Sequence, residues 1–256
     1  MTQESVLQVD VSRGVATLTL DSPANRNALS RAMRSQLRTA LTDALADDAV
    51  RVVVLDHTGR VFCSGMDLSE AAGGGAQDQG VREFPELLEV IWSAPKPVVA
   101  VVRGPARAGG IGLLAACDVV VAGSSATFAF SEVRLGIVPA VISAVVLPRM
   151  VAHVAHRLML TGQVFDAEMA ADGGLVDLVV PDADVDGEVR AQLVHLTAGA
   201  PAALAETKRL LRARTPDLGF DDLLELSARF FASEEGQEGI ASFREKRPAR
   251  WVPTDV

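Results

Sequence analysis

Phe62-Cys63-Ser64-Gly65-Met66-Asp67-Leu68 and Arg107-Ala108-Gly109-Gly110-Ile111-Gly112 are the two stretches on which the reading of this chain turns. Each follows a strand-like apolar run, Val52-Val53-Val54-Leu55 in the first case and Val98-Val99-Ala100-Val101-Val102 in the second, and each reads as opening a helix. The first N–H groups of a helix have no partner inside it and sit at the positive end of its dipole. Two such ends brought together aim two backbone N–H groups at one oxygen, an arrangement suited to a carbonyl that becomes enolate-like during reaction. Glycine after a strand is also ordinary turn chemistry, so the pair takes its meaning from its surroundings.

Those surroundings are a chain of 256 residues, 49% of them hydrophobic. A chain of this length buries about 70–75% of its unfolded surface, enough for one large core or a core with a small appended unit. The two cysteines, Cys63 and Cys117, lie in apolar contexts without metal-ligand spacing and read as buried free thiols of a reducing compartment. The net charge of −9 argues against a nucleic-acid surface, though local basic residues still suit an anionic ligand. Met1-Thr2-Gln3-Glu4-Ser5 lacks the basic-then-apolar pattern of a signal peptide, and no apolar run reaches the ~18 residues of a membrane span. The expectation is a cytoplasmic protein.

Outward from the two turns, Val15-Ala16-Thr17-Leu18-Thr19-Leu20 alternates as a strand. A loop, Asp21 to Asn27, leads to Ser30 as a helix N-cap, after which Met33, Leu37, Leu41 and Leu45 make one apolar stripe. Residues 71–80 read as a flexible loop, Phe84–Trp92 and Ile111–Ala116 as helices, Val119–Ala122 and Thr127–Phe130 as strands, and Pro139 to Pro148 as a core segment. Leu175–Val180 is the last strong strand, and helices are predicted over 185–199, from Pro201, over 219–233 and over 236–246. The chain is α/β for about 180 residues and then helical. The helical tail carries apolar faces that call for the α/β part or another subunit.

Taken in order, six segments resemble the crotonase (enoyl-CoA hydratase/isomerase) superfamily over nearly the whole length: Ala24-Asn25-Arg26-Asn27-Ala28-Leu29, Phe62 to Leu68, Gly104 to Gly112, Ala116-Cys117-Asp118, Phe130-Ser131-Glu132 through Pro139, and Glu238 to Arg247. Each piece is unspecific, whereas their order and spacing are specific. The resemblance implies a spiral of ββα units, a core domain over 1–198, and a C-terminal helical trimerisation region over 199–256, with trimers or dimers of trimers. It implies that the Met66 and Gly109 N–H groups form an oxyanion hole for a thioester oxygen. It places coenzyme A against Ala24, Arg26, Ala28, Ser64, Gly65, Asp67 and Leu68, with Phe243 and Lys246 often donated by a neighbouring subunit. No metal or redox cofactor is implied, coenzyme A being part of the substrate; nucleic acid and membrane are not expected partners.

One departure matters more than any match. Hydratases of the family typically carry two glutamates; one matches Glu132, and the other falls where this chain has Gly112. A single carboxylate in an apolar pocket, its pKa raised, can both take a proton from the attacking water and deliver it to Cα. Some branches of the family keep only this glutamate. On this reading Gly112 leaves room for a branched or carboxylated acyl group, and Arg107 meets a substrate carboxylate; a phosphate contact or a solvated turn is the alternative for Arg107. The alternative for Glu132 is a solvated pair with Arg134. Glu83, Glu86 and Glu89 read as a solvated helix face, one of them a candidate to replace the missing carboxylate.

Among the rest, Asp67 caps a helix, Asp118 makes a structural hydrogen bond, and Lys208, Arg209, Arg212 and Arg214 line a helix surface. His57, His153, His156 and His195 are scattered, and no third ligand joins the pair His153 and His156. The reading is a lyase that hydrates a 2-enoyl-CoA, as in fatty acid metabolism. The rivals are an enoyl-CoA isomerase, a thioester hydrolase or decarboxylase on the same site, and a catalytically silent acyl-CoA-binding protein.

Overall fold

A computed structural model describes residues 5–71, 83–213 and 219–253. The chain opens with a hairpin, β1 (Leu7–Ser12) and β2 (Val15–Leu20), turned through Arg13 and Gly14, both at positive φ. Two left-handed residues match the right-handed strand twist of a tight hairpin. β1 was not foreseen. It lies at the sheet edge with Val9 and Val11 exposed, which weakens its alternation as a signal.

The loop ends at Ser30, whose hydroxyl accepts the Met33 N–H at 3.2 Å and caps α1 (Arg31–Ala46). Met33, Leu37 and Leu41 are buried on one face, as the spacing predicts. There follow β3 (Val52–His57), the short α2 (Leu68–Ala71), α3 (Glu83–Ser93), β4 (Val98–Val102), β5 (Ala106–Arg107), α4 (Gly109–Ala116), β6 (Val119–Gly123) and β7 (Thr127–Ala129). Residues 72–80 of the expected loop lie outside the described residues, as does Arg214. Next come α5 (Ala140–Arg149), which is the Pro139 to Pro148 segment, then α6 (Ala152–Thr161), β8 (Phe165–Asp166), α7 (Ala167–Asp172) and β9 (Leu178–Val180). Four helices finish the chain: α8 (Val185–Ala198), α9 (Pro201–Arg212), α10 (Phe220–Ala232) and α11 (Glu234–Glu245).

Strand β9 is shorter than the expected Leu175–Val180. Gly174, at positive φ, turns the chain, and the amides of Leu175 and Val176 bond back to the Ala170 carbonyl instead of to a neighbouring strand.

The main sheet runs β1-β2-β3-β4-β6-β9, parallel after the first hairpin. β3 and β4 are buried on both faces, which accounts for their unbroken valine runs. Val53, Leu55, Val98, Ala100, Val102 and Val120 face the large core shared with α1, α3 and α4. The intervening Val52, Val54, Val99, Val101 and Val121 pack beneath Val185 and Val189 of α8. A second sheet, β5-β7-β8, stands beside the first. Its strands bracket the second glycine turn and lead directly to Glu132.

Candidate functional site

The first turn is held by a buried asparagine. Asn27 accepts the Ser22 N–H at 2.7 Å and donates to the carbonyls of Thr58 and Val61 at 2.9 and 2.8 Å. It and Arg26 sit in the left-handed region, which asparagine tolerates well. Two backbone bonds then dock the 24–29 loop on the 64–68 turn, Ser64 N–H to Arg26 O at 3.1 Å and Leu29 N–H to Gly65 O at 2.8 Å. Ala24, Arg26, Ala28, Ser64, Gly65, Asp67 and Leu68 thereby share one neighbourhood. Ala24, Arg26 and Leu68 are exposed, and Ser64 and Asp67 half-buried. Asp67 accepts the Ser69 N–H at 2.9 Å, the capping role expected.

The second turn abuts the first. The Arg107 N–H donates to Cys63 O at 2.9 Å, and Phe62 donates to Pro105 O at 3.0 Å. Gly65 has φ +91, and a Cβ there would lie 3.1 Å from Ala108 Cβ and 3.4 Å from the Gly109 nitrogen. Any side chain would therefore push the two turns apart. Ala108 carries the strain of the junction, with φ 48 and ψ −117. It is held there by its N–H to Ala129 O at 3.1 Å and by its carbonyl, which accepts from Ile111 at 2.9 Å and starts α4. No acceptor among the described residues takes the Met66 or the Gly109 N–H. The two turns are not equivalent: α4 is an eight-residue helix with its dipole behind Gly109, whereas α2 has four residues.

Glu132 enters from β7. Ala129 pairs with Arg107, and three further residues span at most about 10 Å, so the carboxylate-bearing residue stays close to the junction. Glu132 is 8% exposed, and its Oε2 is buried with no hydrogen-bond partner. Arg134 turns away to the Thr161 carbonyl at 3.2 Å, so the solvated Glu132–Arg134 pair does not form. Burial raises the Glu132 pKa above the ordinary glutamate value, and among the described residues no neighbouring cation opposes it. An unpaired buried acceptor costs about 1–3 kcal/mol.

Several expectations are corrected. Gly112 opens no space, because a Cβ built on it would lie 2.6 Å from Ile142 Cγ2 and 3.4 Å from Phe84 Cζ. The Arg107 guanidinium is committed to Thr127, with bonds of 2.6 Å to its carbonyl and 3.0 Å to its hydroxyl. Glu83, Glu86 and Glu89 are exposed, in line with the solvated helix face expected, with Glu83 paired to the buried Arg34 at 3.1 Å and Glu86 to Arg38 at 3.9 Å. Lys208 and Arg212 do not line a surface; both turn inward onto Asp118. Asp118 itself makes the structural hydrogen bond foreseen, accepting the Val98 N–H at 2.8 Å.

Phe243 and Lys246 are exposed, and among the described residues no hydrogen bond or ion pair ties either side chain to the turns. His57 is buried, its Nε2 accepts the Arg103 N–H at 3.1 Å, and burial lowers its pKa. Cys63 is a free, buried thiol pushed up to about 12 by burial. No grouping of three or more His, Cys, Asp or Glu among the described residues could hold a metal ion. No described helix is long and apolar enough to cross a membrane. Ile142 and Phe84 are the site residues that sequence reasoning missed. The bracketing prolines marked the α5 segment, but nothing local says which residue faces Gly112.

Residues 10–253 match the enoyl-CoA hydratase/isomerase family. A Rhodobacter capsulatus protein named a probable enoyl-CoA hydratase is 38% identical over 253 residues, covering 96% of this chain and 97% of that one. The Escherichia coli protein named 2,3-dehydroadipyl-CoA hydratase is 35% identical over 248 residues, covering 95% and 97%. The solved structure of Pseudomonas aeruginosa AtuE superposes with a TM-score of 0.91 at 36% identity, covering 97% of this chain and all of its own. With the fold, the ordered motifs and these likenesses in agreement, the chain belongs to the enoyl-CoA hydratase/isomerase (crotonase) family.

Proposed function

We propose that this protein adds water across the 2,3 double bond of an enoyl-CoA, with Glu132 as the acid–base group and the Met66 and Gly109 amides as the oxyanion hole. The reading is supported by the contact between the two turns that carry these amides, Arg107 N–H to Cys63 O at 2.9 Å, and by the buried Glu132 Oε2, which has no hydrogen-bond partner among the described residues. Glu132, ionised, takes a proton from water as the water oxygen bonds to Cβ. The π electrons of the Cα–Cβ bond move onto the thioester oxygen, where the two amides meet the charge. Glu132 then returns the proton to Cα, and a 3-hydroxyacyl-CoA leaves. Each preorganised donor of this kind is worth about 3–4 kcal/mol in a transition state.

Coenzyme A lies, on this proposal, along Ala24, Arg26, Ala28 and Ser64 to Leu68, where the exposed Arg26 supplies a cation for phosphate. Arg107 drops out of the binding set. Phe243, 86% exposed, and Lys246 complete the site from a neighbouring copy in a homotrimer or dimer of trimers. Exposed Leu224 and Phe231 on α10 support that assembly.

The test is to incubate the wild type and Glu132→Gln with straight-chain, branched and carboxylated enoyl-CoAs and to read products by chromatography with mass detection. Gain of water by the wild type and not by the variant is the expected result. An isobaric product makes the protein an isomerase, which a lone carboxylate also serves; free coenzyme A makes it a thioester hydrolase; binding without turnover makes it a silent binder.

A further inference from the structure

We propose that Ile142 stands where a second acid–base side chain would reach, and that with Phe84 it forms a rigid apolar wall restricting the acyl group to slim, uncharged chains. The inference rests on the hydratase reading for its substrate and on packing for everything else. Residues 109 and 112 are one turn apart on α4 and share a face. A Cβ at 109 would meet Leu29 Cδ1 at 3.0 Å and Phe84 Cζ at 3.3 Å; a Cβ at 112 would meet Ile142 Cγ2 at 2.6 Å and the same Phe84 atom at 3.4 Å. Leu29, Phe84 and Ile142 therefore line one continuous strip that begins at the free Gly109 amide. All three are buried.

The wall does not yield readily. Ile142 Cγ2 belongs to a β-branched side chain inside α5, where one χ1 rotamer dominates, so it has little freedom to swing aside. A glutamate at 112 would need its whole side chain to pass through that position. The glycine thus records a space already filled, and Glu132 is left to act alone. Among the described residues, the cations near the wall are already engaged: Arg107, the basic residue of the turn, is bonded to Thr127, and Arg34, which donates to the Leu29 carbonyl, is paired with Glu83. An acyl group bearing a carboxylate near Cβ would be desolvated without a partner beside a second carboxylate.

The experiment uses the full chain and saturated thioesters, so it needs no turnover. Butanoyl-CoA, 3-methylbutanoyl-CoA and glutaryl-CoA would be titrated calorimetrically into the wild type, Ile142→Ala and the milder Ile142→Val. The wild type is expected to favour butanoyl-CoA. Ile142→Ala should gain about tenfold for the branched ligand while straight-chain affinity moves by less than about threefold, as one small apolar group in a pocket allows. Glutaryl-CoA should stay weak throughout. In parallel, Gly112→Ala should lower the melting temperature in the wild-type background and lower it much less in Ile142→Ala. An unchanged branched-to-straight ratio in both Ile142 variants, or a Gly112→Ala protein as stable as the wild type, overturns the proposal. Absence of water gain by the wild type on the corresponding 2-enoyl-CoAs, with the ratio shifted as expected, overturns only the hydratase reading; failure of the wild type to bind any of the thioesters overturns both.

Discussion

The Asp118 carboxylate and the Lys208 ammonium, 90 residues apart in sequence, meet at 2.7 Å. Lys208 also donates to the carbonyls of Ile91 and Lys96, at 3.2 and 3.3 Å. Arg212, one turn further along α9, bonds Asp118 Oδ1 at 2.9 Å, reaches the carbonyls of Ala116 and Cys117, and lies 3.7 Å from the centre of the Trp92 ring. Arg149 bonds the Cys117 carbonyl at 2.7 Å from the other side. The carbonyl end of α4 is thereby clamped by cations, as the dipole favours, while its amide end carries Gly109 at the site. The helix that begins at Gly109, the amide proposed as an oxyanion donor, is anchored by the C-terminal part of the chain.

Breaking that clamp is expected to be expensive. Asp118→Ala leaves Lys208 buried without its counter-charge, and loss of one partner of a buried pair costs about 3–5 kcal/mol. Urea denaturation measures it; a loss under about 1 kcal/mol would show that Lys208 finds water instead.

Glu132→Gln is expected to cost activity and to increase stability. Removing a general acid–base group lowers kcat by about 10²–10⁴-fold. Because burial raises the Glu132 pKa in the folded chain, ionisation opposes folding: the penalty is absent below the unfolded glutamate pKa and complete above the folded one. The variant should therefore melt higher than the wild type at neutral pH, with the gap closing as pH falls toward the ordinary glutamate range. Thermal melts at two pH values decide it, and a variant that melts lower at both contradicts this account of the carboxylate.

The same shift sets a pH profile. On the proposed mechanism addition begins with Glu132 ionised, so kcat/KM should fall as pH drops through a pKa above the ordinary glutamate value of about 4.3. A rate profile on an enoyl-CoA locates the acid limb. A limb at or below that value would mean the carboxylate is solvated in the free enzyme.

Gly65→Ala and Ala108→Gly should act in opposite directions. The first places a Cβ at φ +91 within 3.1 Å of Ala108 and should destabilise by about 2 kcal/mol while lowering kcat through displacement of the Met66 amide. The second relieves a positive φ and should leave stability within about 1 kcal/mol of wild type. Equilibrium unfolding with steady-state kinetics on both variants checks the pair.

Arg107→Ala should lower the melting temperature and spare the substrate. The guanidinium bonds to Thr127 are lost, at about 1.5–3 kcal/mol for hydrogen bonds to a charged group, while KM for an acyl-CoA stays within about threefold. A large rise in KM without loss of stability would return Arg107 to the binding set.

Much of the candidate site's local framework was legible because it is made of backbone. Gly65 and Gly109 mark turns, valine runs mark the strands feeding them, and Ser30 marks the start of α1; these are local signals carried by neighbouring residues. Strand β1 escaped because an edge strand with exposed valines alternates weakly, and β9 shrank because two amides after Gly174 bond within their own turn. Lys208 was misread for a different reason. A lysine on an amphipathic helix looks solvated until the helix is packed, and only packing brings Asp118 beneath it.

Order and spacing of short motifs were enough to assign the family and the α/β architecture, since strand burial and helix capping depend on residues close together in the chain. The depth of Glu132, the Thr127 partner of Arg107 and the filling of the Gly112 space by Ile142 were settled by tertiary packing. Each is a contact between segments whose separation in space no local pattern encodes, and a space beside a glycine belongs to whichever distant side chain the fold delivers to it.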